Sequence, residues 1–286
     1  MDQAFPRSTV PSAVDQARGP LAISAAARWL SVLVLVLMLI QSAVGVLVPE
    51  VYRDTGWVTA AWYGNDLVTL VVVAPLLAWS LYAAARGSLP AALIWYAMLG
   101  YAVYNYAYYL FGAALNAFFP VYAVLFVLPI FSLILGLGQV DPRAIAARFA
   151  PATPNRWIAA YMLFTGIGLA FAWTAQWAAY VFGGTVPSIG VEPFRLVAAM
   201  DLTFMVPWFV VGAVLLMRRA AWGYIVAPII IVKGAAYTLV LTTTSAVAAV
   251  RGIEGSFEQI PIWAAWTVLG MLAAWGLLGS TRGSVR

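Results

Sequence analysis

The sequence predicts an all-α integral membrane protein with eight transmembrane helices. Three observations carry that prediction. Of 286 residues, 64% are hydrophobic and only 9% charged, against about 25% charged in an ordinary soluble domain. The mean hydropathy is +0.94. The apolar residues also fall into eight stretches, each long enough for a hydrocarbon core of about 30 Å.

In order, the stretches are 29–49, 66–85, 90–113, 118–138, 157–182, 202–217, 222–248 and 260–280. Before the first, residues 1–27 are polar and contain Pro6, Pro11 and Pro20. They read as a disordered cytoplasmic tail, and no small-residue cleavage site marks a signal peptide. Residues 28–140 form a first four-helix unit and 156–280 a second. A cytoplasmic linker, 141–155, joins them, and a short cytoplasmic tail, 281–286, follows.

Arginine placement supports the alternation. With the N-terminus in the cytoplasm, eleven arginines fall inside: Arg7, Arg18, Arg28, Arg86, Arg143, Arg148, Arg156, Arg218, Arg219, Arg282 and Arg286. Only Arg53, Arg195 and Arg251 fall outside, as the positive-inside rule requires. Arginine-rich, lysine-poor composition points to a bacterial cytoplasmic membrane.

The two units read as tandem repeats in parallel orientation. Arg28-Trp29 and Arg156-Trp157 open their first helices. Glu50-Val51-Tyr52-Arg53 and Glu192-Pro193-Phe194-Arg195 occupy their first outer loops, and Asp66 and Asp201 open the next helices. The third helices pair Asn105 with Lys233, and the fourth run from Pro120 to Gly138 and from Pro261 to Gly279. In transporters built this way, substrate sites lie near the midplane at the repeat interface.

Lys233, the one lysine in the chain, is the leading candidate for function. A cation near the bilayer centre costs about 2.5–3.5 kcal/mol on insertion scales and needs a partner or a wet cavity. Lys233 lies 14 residues beyond Arg219, and Asp201 lies 17 before Arg218. At about 1.5 Å per residue, the two reach similar depths on antiparallel neighbours. A Lys233–Asp201 pair is therefore expected, with Tyr237 one turn away on the lysine's face. Asp66, Asn105, Tyr108 and Tyr109 make the corresponding set in the first unit, with Tyr101 on the same face. Pro228 removes a backbone hydrogen bond near Lys233. Gln41, Thr174 and Gln176 are further polar groups in apolar runs. Each of these has a bland counterpart. Asp66 and Asp201 near helix starts would cap amides, tyrosines and tryptophans pack or form interfacial belts, Asn105 bonds a neighbouring helix, and a buried Lys–Asp pair fixes an arrangement without chemistry. Glu50, Arg53, Glu192 and Arg195 form the outer-loop candidates, in segments that suit an interfacial anchor or a lid.

Several function classes fall away. The chain has neither cysteine nor histidine. That removes disulfides, thiol nucleophiles, Ser-His-Asp triads and histidine-ligated zinc or haem. No cofactor and no metal are implied, and the basic residues sit at helix ends rather than in a nucleic-acid patch. A lysine on the penultimate helix is similar in placement to the retinal lysine of rhodopsins. Microbial rhodopsins carry an aspartate four residues earlier, where this chain has Ile229, and they have seven spans. No acidic motif of a polyprenyl or phosphotransfer enzyme is present. The reading that remains is a protein in the lipid bilayer that binds or transports a small apolar, amphipathic or anionic ligand between its halves, around Lys233. The alternatives are a structural subunit without its own ligand and, behind it, an intramembrane enzyme or chromophore receptor.

Overall fold

The computed structural model describes residues 24–54 and 56–282. The expected residues 1–23 of the N-terminal tail and the last four of the C-terminal tail lie outside the described residues. What is described is helical, with one isolated bridge, Phe149 to Thr281, and no strand. That bridge, with Arg282 N donating to Arg148 O at 2.7 Å, ties the linker to the end of the last helix.

Helix α1 is Ala25–Leu47, with Ser24 Oγ accepting from Ala27 N at its start. Helix α2 runs from Gly56 to Ala85. Helix α3 is Leu89–Gly112, opened by Ser88 at the cap and Pro90 in the first turn, where a missing N–H is harmless. Helix α4 is Phe119–Leu137. A short helix, α5 (Pro142–Ala146), is capped by Asp141. Helix α6 is Asn155–Gly183, α7 is Val191–Met217, α8 is Gly223–Val250 and α9 is Ile260–Leu278.

Seven of these helices are long and apolar enough to cross a membrane, so the chain is a multi-pass, all-α membrane protein. The long helix outside that set is α3, and its 24 residues match the others in length. Its hydropathy is lowered by Tyr96, Tyr101, Tyr104, Asn105, Tyr106, Tyr108 and Tyr109, all of them buried. Helix α3 packs against α2, α4 and α8. A helix sheathed by protein need not be as apolar as lipid.

Two helices start earlier than expected. Helix α2 begins ten residues before Asp66, and α7 begins ten before Asp201. Asn65, Asp66 and Asp201 imitate helix starts in the sequence because they are polar; in the fold they are buried within helices, so neither aspartate serves as an N-cap. Both helices also widen into a π-helical turn, at Thr69–Val73 and Asp201–Met205. Each turn precedes a proline by two residues, Pro75 and Pro207. A proline ring clashes with the carbonyl four residues back. For these two, that carbonyl belongs to Val71 or Thr203, inside the widened turn.

Packing is uneven. Helix α1 lies along α4 through a buried polar clasp. Ser31 Oγ and Ser132 Oγ are 2.7 Å apart, both donate to Ala27 O, and Trp95 Nε1 donates to Ser31 Oγ at 2.9 Å. Helices α6 and α9, in contrast, touch sparsely. Their contact includes Trp266, whose ring lies 5.6 Å from Phe164 and 6.1 Å from Tyr161.

Helices α2 and α8 come into close contact at Gly64. A Cβ there would lie 2.8 Å from both the N and the Cα of Thr244. Gly64→Ala is therefore expected to force the helices apart and to cost about 1–3 kcal/mol, the usual range for overpacking. A lowered midpoint in a denaturant titration in mixed micelles checks this.

Candidate functional site

The structure divides the sequence candidates into two buried clusters. The first surrounds Asp66. Its Oδ1 accepts from Gln41 Nε2 at 3.0 Å and from Tyr109 Oη at 2.8 Å, and its Oδ2 accepts from Tyr52 Oη. Gln41 Nε2 also donates to Tyr52 Oη, and Tyr106 Oη donates to Gln41 Oε1, each at 3.0 Å. Burial first, and the adjacent Asp66 carboxylate second, push the Tyr52 phenol far above its ordinary value, so Tyr52 remains a donor. Tyr52, Trp62, Tyr109 and Tyr122 pack their rings over this network. The Asp66 carboxylate is thus supplied with three donors and fully buried.

The second cluster surrounds Asp201 and Lys233. Asp201 Oδ1 accepts from Tyr104 Oη at 2.6 Å, and Oδ2 accepts from Trp173 Nε1 at 2.9 Å. Lys233 Nζ lies 3.4 Å from the centre of the Tyr104 ring and 5.2 Å from that of Tyr237, and it contacts Met205 Sδ. The expected direct ion pair is not made. Among the described residues the one salt bridge joins Arg195 to Glu192. Lys233 and Asp201 meet instead through Tyr104, which offers its ring face to the amine and its hydroxyl to the carboxylate. Desolvated cation–π contacts of this kind are worth about 2 kcal/mol.

A cavity of about 540 Å³ opens beside this cluster. Its walls come from α6, α7, α8 and α9, with Trp57, Ala61 and Asn65 of α2 and Tyr108 of α3 on the far side. Nine aromatic side chains line it: Trp57, Tyr108, Tyr161, Phe164, Trp173, Phe209, Tyr237, Trp263 and Trp266. Asp201 is the one carboxylate in the lining, and no lysine or arginine reaches it. Asn65 Oδ1 and Thr244 Oγ1, on two lining residues, have no hydrogen-bond partner among the described residues. Helices α6 and α9, which touch sparsely, both line the cavity.

The remaining candidates take other positions. Tyr237 and Tyr108 line the cavity, whereas Tyr109 belongs to the Asp66 network. Tyr101 pairs with Thr69 at 2.9 Å. Asn105, between Tyr104 and Tyr106 in the sequence, is 1% exposed, and neither its Nδ2 nor its Oδ1 has a described partner. Glu50 and Arg53 are exposed and flank Tyr52 of the first cluster in the sequence. Glu192 and Arg195 form a surface pair at 2.6 Å, a geometry that contributes little to stability. Sequence reasoning missed Tyr104, Trp173, Met205, Asn65 and Thr244. Tyr104 was open to discovery, because it lies one turn from Tyr108 on the same face. The others depend on neighbouring helices for their significance. Comparison with protein-family models, curated proteins and solved structures finds no match to this chain.

Proposed function

We propose that this chain is a ligand-binding protein of a bacterial cytoplasmic membrane that holds, and moves, a small apolar or amphipathic molecule in the cavity beside Asp201 and Lys233. The observation that carries the reading is the cavity itself. It is walled by aromatic rings, floored by a hydrogen-bonded carboxylate, and lies beside helices that barely touch. Its size falls in the ordinary range for small-ligand sites, about 300–1,000 Å³. Asp201 and Gln176 are polar residues in a lining that is otherwise mostly apolar and aromatic, which suits an amphipathic ligand. The anionic option is disfavoured, since Lys233 is covered by Tyr104, Met205 and Tyr237 rather than facing the cavity.

The same reading includes eight spans, with α3 as the protein-sheathed eighth, two four-helix repeats and cytoplasmic termini. Supporting the repeat, α2–α3, α3–α4 and α1–α2 packing have counterparts in α7–α8, α8–α9 and α6–α7. Pro75 and Pro207 each precede an arginine, Arg86 and Arg218, by eleven residues. That register aligns Asp201 with Thr69 rather than with Asp66. Thr69 and Asp201 each meet a tyrosine of α3, Tyr101 and Tyr104.

Tryptophan fluorescence tests the reading. Trp173, Trp263 and Trp266 line the cavity, so 12-bromododecanol, a neutral amphiphile with a heavy-atom quencher, should quench saturably in mixed micelles. In Gly168→Phe, which fills a lining position where a Cβ meets no neighbour, the apparent affinity should fall at least tenfold. Non-saturable quenching that is identical in both proteins would remove the proposal.

A further inference from the structure

The charge pattern of the cavity assigns a ligand class, on the footing that the cavity is the binding site: we infer that it selects a lipophilic organic cation. Aromatic rings carry negative faces, and a cation within about 6 Å of a ring centre is attracted to them. Nine such rings surround this space, and the carboxylate of Asp201 is the one acidic group that reaches it. No arginine or lysine lines the cavity to meet an anion. The two hydrogen bonds that Asp201 accepts occupy one lone pair on each oxygen. Each ionised carboxylate oxygen can accept more than one bond, so the carboxylate can serve a ligand without surrendering Tyr104 or Trp173.

Lys233 makes the class sharper. Its amine sits on the ring face of the same tyrosine whose hydroxyl donates to Asp201. When that amine is charged it balances Asp201 in the empty protein and opposes a second cation in the cavity. The two residues therefore act on the ligand with opposite signs. Removing the carboxylate weakens a bound cation, and removing the lysine strengthens it. An anionic ligand would show the reverse pattern, and a neutral ligand would be indifferent to both.

Tetraphenylphosphonium and tetraphenylborate share a shape and differ in the sign of their charge. Equilibrium dialysis of each against the detergent-solubilised full chain gives the test. The cation is expected to bind saturably, at least tenfold more tightly than the anion. Asp201→Asn should lower affinity for the cation at least tenfold, and Lys233→Met should raise it. If Asp201→Asn does not fold, the wild-type ratio and Lys233→Met still decide. Equal or tighter binding of tetraphenylborate, or a weaker cation affinity in Lys233→Met, overturns the inference. Absence of tetraphenylphosphonium binding alongside saturable quenching by 12-bromododecanol also overturns it, while leaving the cavity as a neutral-ligand site. Absence of both removes the cavity reading itself.

Discussion

Asp66→Ala is expected to destabilise the protein by about 3 kcal/mol, with loss of protection along the adjoining parts of α1, α2 and α3. The substitution removes the acceptor for Tyr52, Tyr109 and Gln41 together. A buried donor left without a partner costs about 1–3 kcal/mol. Two of the three donors keep a second acceptor, Gln41 with Tyr52 Oη and Tyr109 with Trp62 O at 3.2 Å, which holds the total below the full sum. Asp66→Asn retains one acceptor oxygen and should cost less. The cavity lies elsewhere, so ligand affinity per folded molecule should be unchanged in both variants. Denaturant titration and hydrogen exchange in micelles read the first effect, and 12-bromododecanol quenching reads the second.

The second large effect concerns coupling. Lys233 and Asp201 make no direct contact pair, yet both rest on Tyr104. Lys233→Met removes a buried cation and keeps most of the volume; replacing buried charge by apolar atoms is often neutral in itself. Left alone, however, the Asp201 carboxylate then loses its nearest countercharge. Asp201→Asn leaves the lysine in the same position. The double variant Lys233→Met with Asp201→Asn removes both charges together. It should therefore be more stable than the sum of the single effects by about 1–3 kcal/mol, the scale of residues sharing one network. Additivity within about 0.5 kcal/mol would mean that Tyr104 does not link them. Tyr104→Phe in the same background should reduce the coupling, because it keeps the ring under Lys233 and removes the hydroxyl that donates to Asp201.

How much of this was legible in the sequence differs from residue to residue. Seven helices announce themselves by hydropathy. Helix α3 is legible from its length and the prolines and small turns around it, although its tyrosines mask it on an apolar scale. Lys233 stands out because a lysine among so many apolar residues needs an account. Tyr237 follows from helical spacing. The grouping of Asp66 with Tyr109, and of Asp201 with Tyr104 and Trp173, was not legible. It depends on which side of α3 faces α2 and which faces α7, and α3 is buried nearly all round. Tyr108 and Tyr109 are adjacent in sequence and end in different clusters. The early starts of α2 and α7 were hidden by buried polar residues that resemble caps. The cavity left no sequence trace, since its walls come from several different helices and the sparse contact of α6 with α9 has no local pattern.

Native mass spectrometry of the gently purified full chain, wild type beside Gly168→Phe, tests the central claim most directly. Gly168 lines the cavity, and a Cβ added there meets no atom within 4 Å, so a larger side chain is expected to occupy the site without forcing the backbone. The account predicts one small-molecule adduct of defined mass on the wild type, absent from the equally folded variant. An adduct retained at the same occupancy in Gly168→Phe, or a wild-type protein that carries none and acquires none when offered 12-bromododecanol, would contradict it.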